Sequence, residues 1–188
     1  MNRLQSLGVP FTFTPENQDK ARAAMAQYPE GRQASAVKTL LYLAQDQLGG
    51  WICQEAVEYV ATFLAMPFIR VYEVVTFYTL FRLKPIGRIH LEVCTTTPCW
   101  LRGADDLLHQ CQRRAQEEPG LTVEEVECLG ACVNAPVVKI QNDFFEDLDQ
   151  TSLNKLMDDA LEGRSLKPGS NRLNSAPAHT HKDDKGAL

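Results

Sequence analysis

Hydrophobic positions in the first half of the chain recur at helical spacing and are punctuated by proline and glycine. Thr14-Pro15 supplies an N-cap hydroxyl followed by a proline at the first helical position, and Ala21, Met25 and Tyr28 follow before Pro29 stops the run. Val37, Leu40, Leu41 and Ala44 mark a second helix, which Gly49-Gly50 ends. Val57, Val60, Ala61 and Leu64 mark a third, closed by Pro67. A fourth, over residues 69–76, leads into Phe77, Tyr78 and Phe81. Helices this short cannot bury their stripes alone, so the pattern predicts a small bundle over residues 1–84, with these three aromatics in its core.

After Pro85 and Gly87 the period changes. Arg88, His90 and Glu92 alternate with Ile89, Leu91 and Val93, which predicts a half-buried strand with His90 in solvent. A helix follows Cys99, with Leu101, Ala104, Leu108, Cys111 and Ala115 along its apolar face and His109 on its surface. "LTVEEVE" reads as a strand whose Glu124, Glu125 and Glu127 form a solvated face. "APVVKIQ" and "DFFEDL" read as a hairpin, and a last helix covers residues 151–162, with Gly163 after it. From Ser165 the chain is polar and reads as a disordered tail over 165–188. The second half thus runs strand, helix, strand, strand, strand, helix, and residues 85–164 fit a small sandwich of thioredoxin type. The fold class is α+β, a helical bundle followed by a thioredoxin-like domain.

The formal net charge of −5 argues against general nucleic-acid binding, which needs an excess of Lys and Arg to meet phosphate. Residues 55–80 superficially suggest a helix-turn-helix, but Arg70 is the basic residue there and lies beside Glu73, so packing or partner docking is the expected role. No stretch approaches the roughly 20 consecutive apolar residues that span a bilayer, so no direct membrane insertion is expected. The first residues lack the apolar core of a secretory signal, and a reducing, cytoplasm-like compartment is expected. No Ser-His-Asp set, paired carboxylates, G-x-G-x-x-G or P-loop stands out. "HTH" at His179 to His181 is weak as a metal motif in such a tail.

The cysteines carry the candidate chemistry. In a reducing compartment, six cysteines favour metal or redox chemistry over structural disulfides. Cys111 falls on a helix's apolar face and Cys53 stands alone, so both read as structural. The other four sit at ends of elements, as C-x4-C (Cys94, Cys99) and C-x3-C (Cys128, Cys132), with 28 residues between the pairs. Loops at strand ends can aim side chains at one point. Four thiolates there suit zinc or an iron–sulfur cluster. The wide pairs lean towards a [2Fe-2S] centre, whose two irons each need two thiolates, because structural zinc favours tight C-x2-C knuckles. Gly130 lets backbone N–H groups approach the sulfurs, and Pro98 and Pro136 stiffen the two loops. Spacing alone leaves zinc and thiol–disulfide chemistry open, although the C-x-x-C of exchange sites is absent.

"EVCTTTPCWLRGADDLL" and "VEEVECLGACVNAPVVKI" resemble the 24-kDa-type subunit of respiratory complex I, the NuoE family of thioredoxin-like [2Fe-2S] proteins. "VYEVVTFYTLF" and "DFFEDL" are similar to that family as well, and the resemblance runs from about Ala34 to Gly163. It implies one [2Fe-2S] cluster on Cys94, Cys99, Cys128 and Cys132, which match the family's ligand positions, whereas Cys53 and Cys111 match none. It also implies electron transfer within an NADH-oxidising module, with FMN and NAD(H) in a larger partner subunit of 51-kDa type, among other complex I subunits. The expected location is cytoplasmic and peripheral to the inner membrane, or the mitochondrial matrix in a eukaryote. Related subunits occur in NAD-linked formate dehydrogenases and hydrogenases, and a zinc-stabilised binding module is the non-redox alternative. "EEPGLTVEEVEC" is shorter than the family's usual connection, leaving Gly120 to make the turn.

Overall fold

The computed structural model describes residues 4–172, which fall into two compact units that meet in sequence between Ile86 and Gly87. Among the described residues, the first unit holds four α-helices: α1 (Pro15–Ala26), α2 (Val37–Gln47), α3 (Gln54–Phe63) and α4 (Phe68–Phe77). Thr14 caps α1 by accepting a hydrogen bond from the Asn17 N–H, and Pro15 opens it. Leu40, Leu41, Ile52, Val57, Val60, Val71 and Val75 are fully buried between the helices. Phe13 meets Tyr59 and Phe63 edge to face, the arrangement that aromatic quadrupoles favour. Phe81 is buried, but Tyr78 is 37% exposed and Phe77 77%, so the expectation of a core role fails for both, most fully for Phe77. It is the last residue of α4, beyond the turn that faces the bundle.

Among the described residues, the second unit is built on a five-stranded sheet with three α-helices of five residues or more. The strands are β1 (Ile89–Cys94), β2 (Leu121–Val126), β3 (Val138–Ile140), β4 (Asp143–Glu146) and β5 (Gly169–Ser170), in the spatial order β2-β1-β3-β4-β5. β1 and β2 run parallel, joined through α5 (Thr97–Leu101) and α6 (Ala104–Glu117), while β3 and β4 form an antiparallel hairpin beside β1. The fourth strand then pairs in parallel with β5, which lies in the stretch expected to be a disordered tail. Gly169 and Ser170 are thus part of the sheet, with the Ser170 hydroxyl on Asp147, and that expectation is corrected for them. The histidines at 179 and 181 lie outside the described residues.

Apolar residues of one β1 face, Ile89, Leu91 and Val93, pack with Leu107, Leu108 and Cys111 of α6. α7 (Gln150–Leu161) adds Leu153, Leu156, Met157 and Ala160 to the same core. Asp149 and Ser152 form a reciprocal capping box at the start of α7. At the start of β1, Gly87 lies so close to the Gly120 carbonyl that a Cβ on it would come within 2.5 Å of that oxygen. This approach lets the Ile89 N–H reach the Gly120 carbonyl and set the β1–β2 register.

Alternation along β1 predicts one wet face, but all six of its residues are buried. The strand is interior to the sheet, and its polar side chains are closed off in pairs. His90 is 3% exposed and its Nε2 lies 3.1 Å from Glu124 Oε2 across the parallel ladder. The Glu92 carboxylate pairs with the Lys139 ammonium on β3. His90 is therefore not a solvated histidine, and Glu124 is not part of a freely solvated face. Glu125 and Glu127 are exposed as expected, with Glu125 accepting the Thr95 hydroxyl at 2.7 Å.

Candidate metal centre

Four element ends converge on one point of the second unit. Cys94 is the last residue of β1, on the face of that strand that carries His90 and Glu92. Cys99 lies in α5, immediately after Pro98 in the first turn of that short helix. Cys128 follows β2, and Cys132 begins a single 3-10 turn, Cys132–Asn134, after Gly130 with its left-handed backbone (φ +81°). Pro136, joined to Ala135 by a cis bond, precedes Val137, whose carbonyl accepts the Cys94 N–H. Helix formation after Cys99 departs from the single helix expected. The chain breaks between α5 and α6 at Gly103, which takes φ +88°. That break turns Leu101 outward, 70% exposed, although its spacing had placed it on the apolar face.

The Cys132 sulfur lies 3.6 Å from Cys94 Sγ, 3.6 Å from Cys99 Sγ and 3.3 Å from Cys128 Sγ. Those separations far exceed the roughly 2.05 Å of a disulfide, and all four thiols are free. Ligand atoms of Cys94, Cys99 and Cys132 fall within 4.8 Å of one another. The structure thus brings all four spacing-selected cysteines together. It leaves out Cys53, which caps α3 by accepting the Ala56 N–H, and Cys111, buried under the sheet.

Burial grades across the group: Cys94 and Cys99 are buried, Cys132 is half-buried and Cys128 is exposed. Burial pushes the Cys99 thiol up to about 12, with the neighbouring sulfurs of Cys94 and Cys132 adding to the effect. Burial also raises Cys132, followed by its contact with Cys128. Cys94 feels burial most strongly, but the Thr96 hydroxyl and the backbone N–H groups of Thr96 and Leu129 outweigh it and bring the thiol below its ordinary value. Cys128 is lowered chiefly by the Gly130 N–H, 3.4 Å from its sulfur. Each cysteine pair therefore has one sulfur whose thiol the donors of the fold bring below its ordinary value.

An all-sulfur donor set with backbone and hydroxyl donors aimed at it fits a thiolate-held metal centre. Such donors stabilise negative charge on ligating sulfur, which is how a protein tunes an iron–sulfur couple. Thr96 is the residue that spacing missed. Its hydroxyl lies 3.2 Å from Cys94 Sγ and 3.7 Å from Cys132 Sγ. The three threonines between Cys94 and Cys99 were the available signal, but only the folded loop selects which one faces sulfur.

The model of the thioredoxin-like [2Fe-2S] ferredoxin family matches residues 21–161. A Rickettsia conorii protein, named as a subunit of NADH-quinone oxidoreductase, is 50% identical over 155 residues, covering 79% of this chain and 93% of that protein. A Rhizobium meliloti protein, named as the same kind of subunit, is 49% identical over 179 residues, covering 89% of this chain and 65% of that one. Among solved structures, an NAD+-reducing [NiFe]-hydrogenase shares the fold with a TM-score of 0.58 at 17% identity, over 76% of this chain and 24% of that chain. With its family model spanning most of its length and curated relatives at half identity, the chain belongs to the thioredoxin-like [2Fe-2S] ferredoxin family.

Proposed function

We propose that the chain is the electron-transfer subunit of the NADH-dehydrogenase module of an NADH-quinone oxidoreductase, and that Cys94, Cys99, Cys128 and Cys132 hold its [2Fe-2S] cluster. The observation that carries this reading is the convergence of four thiols from two separated motifs in a chain of this family. The names of the curated relatives at 50% and 49% identity support the assignment to a quinone oxidoreductase over a hydrogenase module. When bound, the cluster supplies a one-electron couple. The chain's own residues give it ligation, partial insulation and donors that set its potential.

Cys94 and Cys99 anchor the buried side, with Val137 and Ala104 packed around them, and keep water from that half of the site. Cys128 marks the exposed edge, where electron exchange with a partner is shortest. The expected donor is the reduced flavin of a larger, NADH-binding subunit of 51-kDa type, which carries FMN and NAD(H). Among the described residues, no helix is long and apolar enough to cross a membrane. We place the subunit on the cytoplasmic side of the inner membrane, or in the matrix of a mitochondrion.

Iron and sulfide analysis with EPR of the dithionite-reduced full chain tests this. Two irons and two sulfides per chain with an S = 1/2 signal are expected. A colourless protein that carries one zinc and gives no signal would overturn it in favour of a zinc-stabilised module.

A further inference from the structure

We infer that Thr96 is a potential-setting residue, whose hydroxyl donates to a ligating sulfur and raises the midpoint potential of the cluster. The inference rests on the proposed cysteine ligation. Thr96 occupies the N-cap position of α5, where a threonine hydroxyl ordinarily accepts a hydrogen bond from a backbone N–H one turn in. Here the Thr96 side chain makes no such bond. One reason is local: the second residue of α5 is Pro98, which has no N–H to offer. The hydroxyl is instead turned towards sulfur, 3.2 Å from Cys94 and 3.7 Å from Cys132.

Those two sulfurs belong to different motifs, so one side chain addresses both halves of the site. A metal-bound thiolate has no proton, and in either contact the Thr96 O–H must be the donor. One proton serves both sulfurs, with Cys94 favoured by its shorter distance. Reduction adds one negative charge to the cluster and its sulfurs, and a donor bonded to sulfur stabilises that reduced state more than the oxidised one. Thr95 is the internal contrast, because its hydroxyl is committed to Glu125 at 2.7 Å.

The test is an EPR-monitored redox titration of the cluster-loaded full chain, comparing wild type with Thr96→Val, Thr96→Ala, Thr96→Ser and Thr95→Val. Thr96→Val and Thr96→Ala should lower the midpoint by about 59 mV, a tenfold change in the oxidised-to-reduced ratio for a one-electron couple. Thr96→Ser, which keeps the hydroxyl, should restore the wild-type value, and Thr95→Val should leave it unmoved. Unchanged midpoints in loaded Thr96→Val or Thr96→Ala would overturn the inference, as would an equal shift in Thr95→Val. If the cluster loads only with Thr or Ser at this position, the hydroxyl serves assembly and the tuning role is likewise overturned. A wild-type chain that takes up no cluster defeats the proposed function itself, so the two failures are distinguishable.

Discussion

Cys94 and Cys132 are 38 positions apart in sequence, yet their sulfurs lie 3.6 Å apart. Cys94 is delivered by the end of an interior strand and Cys132 by a short turn following its parallel neighbour. Replacing any one of Cys94, Cys99, Cys128 or Cys132 with serine should remove or alter the visible and EPR spectrum of the cluster. Cys111→Ala and Cys53→Ser should leave that spectrum intact, since neither sulfur reaches the group. Iron content and reduced-state EPR of each variant check the assignment, and loss of the cluster in Cys111→Ala would contradict it.

Gly87→Ala should weaken the β1–β2 pairing. The new Cβ would sit 2.5 Å from the Gly120 carbonyl oxygen and 3.1 Å from the Leu121 nitrogen, both backbone atoms that cannot swing aside. A cost of about 1–3 kcal/mol is expected, as for other forced overpacking. Denaturant melts monitored by circular dichroism measure it.

At the N-terminal end of α7, Asp149 accepts the Ser152 N–H at 2.7 Å, and the Ser152 hydroxyl reaches back to the Asp149 backbone. Asp149→Ala leaves a helix donor without this partner and should cost about 1 kcal/mol. The same melts read this loss, and Asp149→Asn should recover most of it.

Glu55 fastens the segment ahead of α1. Its carboxylate accepts the Ser6 hydroxyl and the N–H groups of Leu7 and Gly8. The Ser6 hydroxyl first, and then these backbone donors, hold its pKa at about 2. Because the folded pKa is depressed, the stabilisation is present above the ordinary value of 4.5 and is lost as pH falls towards 2. Measured against their intrinsic rates, the Leu7 and Gly8 amides should lose protection from exchange across that window, and Glu55→Gln should abolish that acid-dependent loss. Amide exchange read by NMR between pH 5 and pH 2 tests it.

Much of this organisation is legible from local pattern. Proline and glycine punctuation marks the four helices of the first unit, because chain conformation at those residues is limited within a few bonds. The four-cysteine set stands out for the same reason, since its members fall at element ends while Cys111 follows a helical stripe. What misleads is inference about the surroundings of a side chain. His90 and Glu92 alternate with apolar residues as on any half-wet strand, but Glu124 and Lys139 on neighbouring strands pair with them in the interior. Leu101 fits the stripe of α6, but the turn at Gly103 takes it off that axis.

Local sequence pattern is enough for the four helices of the first unit, the period of β1, the two cysteine motifs and the resemblance that names the cluster family. All of these depend on residues near one another along the chain. Folding alone makes Cys132 touch sulfurs of both motifs, turns Thr96 and not Thr95 towards them, and adds Gly169–Ser170 to the sheet. Those are contacts between residues whose proximity depends on how strands pair and where a loop turns, and one-dimensional spacing carries no record of either.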